Sequence, residues 1–151
     1  MSRSHELGAF LAMFGLNEDQ LPRLALFLLG HSLIDRWLIH FLAVQEMRPA
    51  IRAAPPQNEE ALDAFIDKLV TKHSAGTFLR HLRAVQEVGL PDELTAICEE
   101  MNQGRDHFLH WQPGRFSVPR YRGLDVTTQE GLDRCLRDVF RVIRTIVGED
   151  E

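Results

Sequence analysis

The chain has 151 residues, 44% of them hydrophobic and 26% charged, with a formal net charge of −5. That length suits one domain with a real core, and the balance is that of a globular protein rather than a disordered or fibrous one. Net acidity excludes bulk coating of nucleic acid but allows a local basic face. Such a face belongs in the last third. Residues 101–151 carry eight basic side chains, all arginine, against eight acidic ones, whereas residues 1–100 carry nine against fourteen. Cys98 and Cys135 have no CxxC partner and fall on apolar helical faces, so they fit small core residues of a reducing compartment. Met1 to Gly15 has neither a basic leader region nor a small-residue cleavage site, and a cytoplasmic chain is expected.

In chain order, a short helix is expected over His5–Phe14. A long one follows from about Glu18 to Ala53, with Asn17 as N-cap and Pro49, Pro55 and Pro56 marking its end. Leu24–Val44 is apolar enough to resemble a membrane span. His31, Asp35, Arg36 and His40 lie inside it, so a buried helix of a soluble protein is expected instead, with no membrane partner. At about 100° per residue, Leu24, Leu28, Leu38 and Leu42 form one stripe, with His31 and Asp35 in its middle. Leu26, Leu29, Leu33 and Val44 occupy the opposite side. A helix that is apolar nearly all round is covered on more than one side. This predicts a homodimer; the alternative is cover by the protomer's own helices.

Asn58 caps the next helix, which runs to about Lys72 and is broken by Ser74-Ala75-Gly76. Another spans Thr77 to Val88 and stops at Gly89. Pro91 and Asp92 open a fourth, which continues through Gly104 into Arg105–His110 and ends at Pro113-Gly114. Phe116–Val118 carries a short alternating pattern that would suit a strand. Thr127 with Glu130 makes a capping box for a last helix to about Val147. That helix sets Leu132, Leu136, Val139, Ile143 and Ile146 on one face and Arg134, Arg137, Arg141 and Arg144 on the other. Asp133 and Asp138 border the arginines, as on a solvated face with internal ion pairs. No repeat, linker, phosphate loop or nucleophile elbow is present. The expected fold is a single all-α domain over 1–151, an up-and-down bundle of four to five main helices with its core at about 18–148.

Chemistry concentrates near the end of the fourth main helix, in Asn102, Arg105, Asp106, His107 and His110. An arginine can hold a phosphate, and a histidine can move a proton near neutral pH. His31 and Asp35, spaced i, i+4, are expected to pair with each other. Asp35 is also the candidate anchor for Arg105, which shares an apolar stripe with Leu94, Cys98, Met101 and Phe108. Asp106 and His110, again i, i+4, can hydrogen-bond and fix the imidazole tautomer. In an unbroken helix Arg105 and His110 point about 140° apart. Either the helix breaks, with Gly104 as the candidate point, or a dimer cleft brings them together. Downstream, Arg115, Arg120, Tyr121 and Arg122 suit phosphate contact and base stacking, or else a packed loop with aromatic anchors. His107 and His110 stand i, i+3, but a metal needs three or four ligands and no companion Glu-x-x-His motif exists, so no metal or cofactor is expected.

The run Glu100-Met101-Asn102-Gln103-Gly104-Arg105-Asp106-His107-Phe108-Leu109-His110 resembles the signature of the HEPN superfamily (higher eukaryotes and prokaryotes nucleotide-binding). That signature is an arginine, a polar residue, a short spacer and a histidine, matched here by Arg105, Asp106 and His110. Leu29–Arg36 is similar to the long first helix of such domains, which often carries a buried acid. The resemblance implies a helical bundle that dimerises with its two motifs facing a shared cleft. It further implies a metal-independent endoribonuclease, in which an RNA 2′-hydroxyl attacks the adjacent phosphate. His110 would be base or acid, Arg105 would stabilise phosphate charge, and Asp106 would orient the site. Asp35, His31, Asn102 and His107 would support it. RNA, a cognate antitoxin or a regulatory protein are the implied partners. The alternative is a catalytically inactive interaction or regulatory module of the same fold. The His-x-Tyr extension of toxins paired with a nucleotidyltransferase antitoxin is absent, since Trp111 and Gln112 follow His110.

Overall fold

The apolar periodicity of the first long segment yields one helix of 33 residues, and the remaining elements pack around it. A computed structural model describes residues 3–110 and 118–148. Within them, α1 spans Arg3–Met13, α2 Leu21–Ala53, α3 Glu59–Ser74, α4 Phe78–Val88, α5 Asp92–Leu109 and α6 Gln129–Val147. The architecture is all-α, relieved by one small antiparallel hairpin, β1 (Arg120–Tyr121) with β2 (Leu124–Asp125).

Local chemistry accounts for most of the boundaries. Asn17 and Gln20 form a reciprocal capping box around a single 3-10 turn, Glu18–Gln20, which leads into α2. Pro49 does not end α2; the helix continues to Ala53 and stops before Pro55-Pro56. Asn58 and Thr77 accept the free amides at the starts of α3 and α4, and Gly148 closes α6 in the left-handed conformation. The last N-cap differs from expectation by one residue. Thr128, not Thr127, accepts from Gly131 N. Thr127 is buried, with its hydroxyl donating to Asp125 and accepting from Gln20, so it is committed to the hairpin.

The hairpin itself departs from expectation. Val118 is outside any strand, and Phe116 lies outside the described residues. The strands flank a two-residue turn in which Arg122 (φ 50°) and Gly123 (φ 76°) both adopt positive φ, the conformation that matches the twist of a tight hairpin. The hairpin packs against α5 and α6.

Phe27, Ile34 and Leu38 of α2 are fully buried, among Leu82 and Val85 of α4, Ile97, Cys98 and Met101 of α5, and Cys135 and Val142 of α6. Burial pushes both thiols up to about 12, so neither cysteine is a nucleophile near neutral pH. Glu18–Ala53 is long and apolar enough, by length and composition, to cross a membrane. Its polar residues His31 and Asp35 are nevertheless hydrogen-bonded to side chains of α5 and α4, an arrangement compatible with the core helix of a soluble protein. One face of α2 stays open: Leu26, Leu29, Leu33 and Trp37 are exposed. Val44 does not belong to it, because it lines a small apolar slot against Ile66, Leu69 and Val70 of α3.

Candidate functional site

Gly104 sets the site's first constraint. It is buried inside a regular part of α5, and a Cβ there would stand 2.7 Å from the carbonyl oxygen of Arg120 and 3.5 Å from the Phe27 ring. The glycine is therefore needed for close approach of the hairpin, and it does not break the helix. The helix ends instead at His110, its C-cap, where the backbone leaves helical geometry (φ −95°, ψ 55°) while its N–H still bonds Asp106 O at 2.9 Å. Asn102, Asp106 and His110 recur every four residues along one stripe of α5, and Arg105 borders that stripe. Arg105 and His110 line the same cavity, of about 520 Å³, with no break at Gly104 and no second chain required. That volume lies within the usual range for small-ligand sites.

The middle of α2 and the loop before α4 complete the cavity, through His31, Ser32, Asp35, Gly76 and Thr77. Along its α5 wall runs a connected polar chain. The Arg105 guanidinium lies 3.4 Å from Asp106 Oδ1. Asp106 Oδ2 accepts from Asn102 Nδ2 at 3.3 Å, and Asn102 Oδ1 meets His31 Nε2 at 2.9 Å. The His31 ring packs on Phe78, with centroids 4.2 Å apart. Burial depresses the His31 pKa from its ordinary value; the Asn102 bond opposes this and the Arg105 charge reinforces it. The balance favours the neutral ring.

Several expected pairings are replaced. His31 and Asp35 do not bond each other: His31 takes Asn102, and Asp35 Oδ1 takes His81 Nδ1 at 2.7 Å. Nor does Asp35 anchor Arg105, whose ion pair among the described residues is with Asp106. The Asp106 carboxylate is spent on Arg105 and Asn102 rather than on the His110 ring. His107 points to the other side of α5, where it lines a separate cavity of about 310 Å³ with Glu100, Gln103 and Arg120.

The arginine–aromatic loop is largely structural. Tyr121 is fully buried and donates its hydroxyl to Asp138 Oδ2, so it offers no surface for stacking. Burial, and then this bond, hold the phenol well above its usual range. Arg122 caps the ring at 5.9 Å and lies 3.7 Å from Asp138; its backbone N–H donates to Glu100. Arg120 is exposed and reaches the Gly123 carbonyl at 3.4 Å. Arg115 lies outside the described residues. Asp138, expected at a solvated border, is buried and also meets Arg134 at 3.7 Å, while Arg141 is held by Glu93 through two bonds of 3.0 Å.

Sequence reasoning gave His81 no role in the site. Its ring is buried, with Nδ1 on Asp35 and Nε2 on the Ala75 carbonyl at 3.1 Å, so it ties the cavity's acidic wall to the loop before α4. It sits 46 residues from Asp35, and no local spacing announces the pair. Among the described residues, no group of three or more His, Cys, Asp or Glu side chains is arranged to hold a metal ion. The chain matches no protein-family model, no curated protein and no solved structure.

Proposed function

We propose that this protein is a metal-independent endoribonuclease of HEPN-like type, acting in a cytoplasmic setting. The observation that carries this reading is the convergence of Arg105, Asp106 and His110, with His31 and Asn102, on one 520 Å³ cavity at the end of α5. These groups supply what cleavage by an internal nucleophile needs. Arg105 is a fixed cation for a phosphate, oriented by Asp106. His110, at an exposed helix end, is a proton carrier. A charged donor on the phosphate stabilises the transition state, and a placed proton carrier contributes ~10²–10⁴-fold. DNA lacks the attacking 2′-hydroxyl and is not a substrate. The open α2 face of Leu26, Leu29, Leu33 and Trp37 is the homodimer surface in this proposal.

The test is RNA cleavage in EDTA, with a 2′-deoxy oligonucleotide as control. Wild type is expected to leave 2′,3′-cyclic phosphate ends, and Arg105→Ala and His110→Ala each to lose ~10²-fold or more in rate. Equal inertness of wild type and both variants would end the nuclease reading. One observation favours a second reading, an inactive module that binds a partner protein: Asp35 and Asp106 put two carboxylates on the cavity wall beside one arginine. A regulatory or antitoxin-like protein would then be the partner.

A further inference from the structure

Cleavage by an internal 2′-hydroxyl requires two proton transfers, one away from the attacking oxygen and one to the departing 5′-oxygen. His110 can perform one of them. The structure holds a second imidazole in the same cavity, with its tautomer fixed. Asn102 donates through Nδ2 to Asp106, so its Oδ1 is an acceptor and His31 Nε2 must be the donor. The lone pair of His31 is therefore on Nδ1. That nitrogen has no partner among the described residues, yet among them no buried side-chain nitrogen or oxygen is left unpartnered. Nδ1 is therefore not sealed off, although His31 is only 3% exposed, and the cavity is the open space that its side chain borders.

We propose that His31 is the general base of the reaction, accepting the 2′-hydroxyl proton on Nδ1, with His110 as the general acid. This rests on the ribonuclease reading and supplies its missing half. In the step, Nδ1 takes the proton from the 2′-oxygen as that oxygen forms its bond to phosphorus. Arg105 faces the charged phosphate oxygens. The bond from phosphorus to the 5′-oxygen breaks, and the 5′-oxygen takes a proton from the His110 imidazolium. The products are a 2′,3′-cyclic phosphate and a free 5′-hydroxyl. His31 is left protonated and His110 neutral, and exchange with water restores both.

The surroundings suit a base that must be neutral before it acts. Burial is the largest influence holding His31 unprotonated, and Arg105 on α5 adds to it. Asp35 on its own helix and Asp106 on α5 act in the opposite sense and stabilise the imidazolium once it forms. From α4, Phe78 stacks on the ring, and His81 is held by Asp35. Asn102 acts through His31 and is a positioning residue.

The experiment is the pH dependence of kcat/KM on a single-site RNA for wild type, His31→Gln and His31→Ala. Ring ¹⁵N shifts of wild type report the His31 tautomer, and circular dichroism checks the fold of both variants. Wild type is expected to lose activity on the acid side with a midpoint below the ordinary histidine value of about 6.5, and to show His31 protonated at Nε2. His31→Gln should be slower by ~10²-fold or more and should lack the acid limb. Added imidazole should partly restore His31→Ala. Cleavage by His31→Gln at the wild-type rate with the acid limb intact would overturn the assignment and leave the nuclease reading standing. So would a slow His31→Ala that folds but gains nothing from imidazole. If wild type is as inert as Arg105→Ala and His110→Ala, the nuclease reading fails and the base falls with it.

Discussion

Gly104→Ala separates two roles for the glycine that precedes Arg105, because they predict opposite signs. If Gly104 only loosened the helix, alanine would stabilise it by ~1 kcal/mol through helix propensity. In this fold the new Cβ meets the Arg120 carbonyl oxygen at 2.7 Å and the Phe27 ring at 3.5 Å. The carbonyl is backbone, held in the hairpin that packs on both α5 and α6, so it cannot swing away as a flexible side chain would. Overpacking of this kind costs ~1–3 kcal/mol, and a rigid contact so short belongs at the upper end. Against the propensity gain, the net loss is ~1–2 kcal/mol, a fall of ~2–8 °C in Tm for a domain of this size. Gly8→Ala is the matched control: it is helical, exposed and has nothing within 4 Å of the added carbon. Its expected effect is a gain of ~0.5–1 kcal/mol. Differential scanning calorimetry of both variants decides the matter. A rise in Tm for Gly104→Ala comparable to that for Gly8→Ala would refute the packing argument.

Tyr121→Phe removes the donor to the buried Asp138 carboxylate and should cost ~1.5–3 kcal/mol in urea unfolding while leaving RNA affinity unchanged; weaker RNA binding with unchanged stability would restore Tyr121 to the surface. Acidification tests His31 through stability as well. Its folded pKa lies below the unfolded value of about 6.5, so the unfolded chain binds more protons as pH falls through that region, and the His31 contribution is lost below it. His31→Gln should therefore show a shallower loss of unfolding free energy from pH 7 to 5 than wild type; an identical slope would argue against a buried neutral ring. Leu29→Glu with Leu33→Glu should give a folded monomer by light scattering if the open face of α2 joins two copies, whereas an unchanged mass would exclude that face.

Helices proved legible because their signals are local. Asn17, Asn58 and Thr77 sit where short polar side chains must accept free amides, and the apolar spacing of α6 marks its buried face. The hairpin was not, since an Arg-Gly turn between two-residue strands leaves no alternation to detect. The site was half legible, and the failures share one cause. His31 and Asp35 are four residues apart on one stripe, so a single-helix argument pairs them. Each instead meets a better partner brought by another helix, Asn102 from α5 and His81 from α4. Tyr121 stood open between a stacking surface and a packed anchor, and α6 decides for the anchor by supplying a buried carboxylate for its hydroxyl. Burial raises the cost of an unpaired polar group, so these partners are chosen by tertiary packing rather than by spacing. Arg105 and His110 are a different case, decided within α5 itself. Between them lies the stripe of Asn102 and Asp106, which His110 continues at i+4 from Asp106. Arg105 and His110 flank that stripe on opposite sides, and both line a common cavity without a break in the helix. The spacing along α5, together with the α2 wall of His31 and Asp35, therefore determines the site.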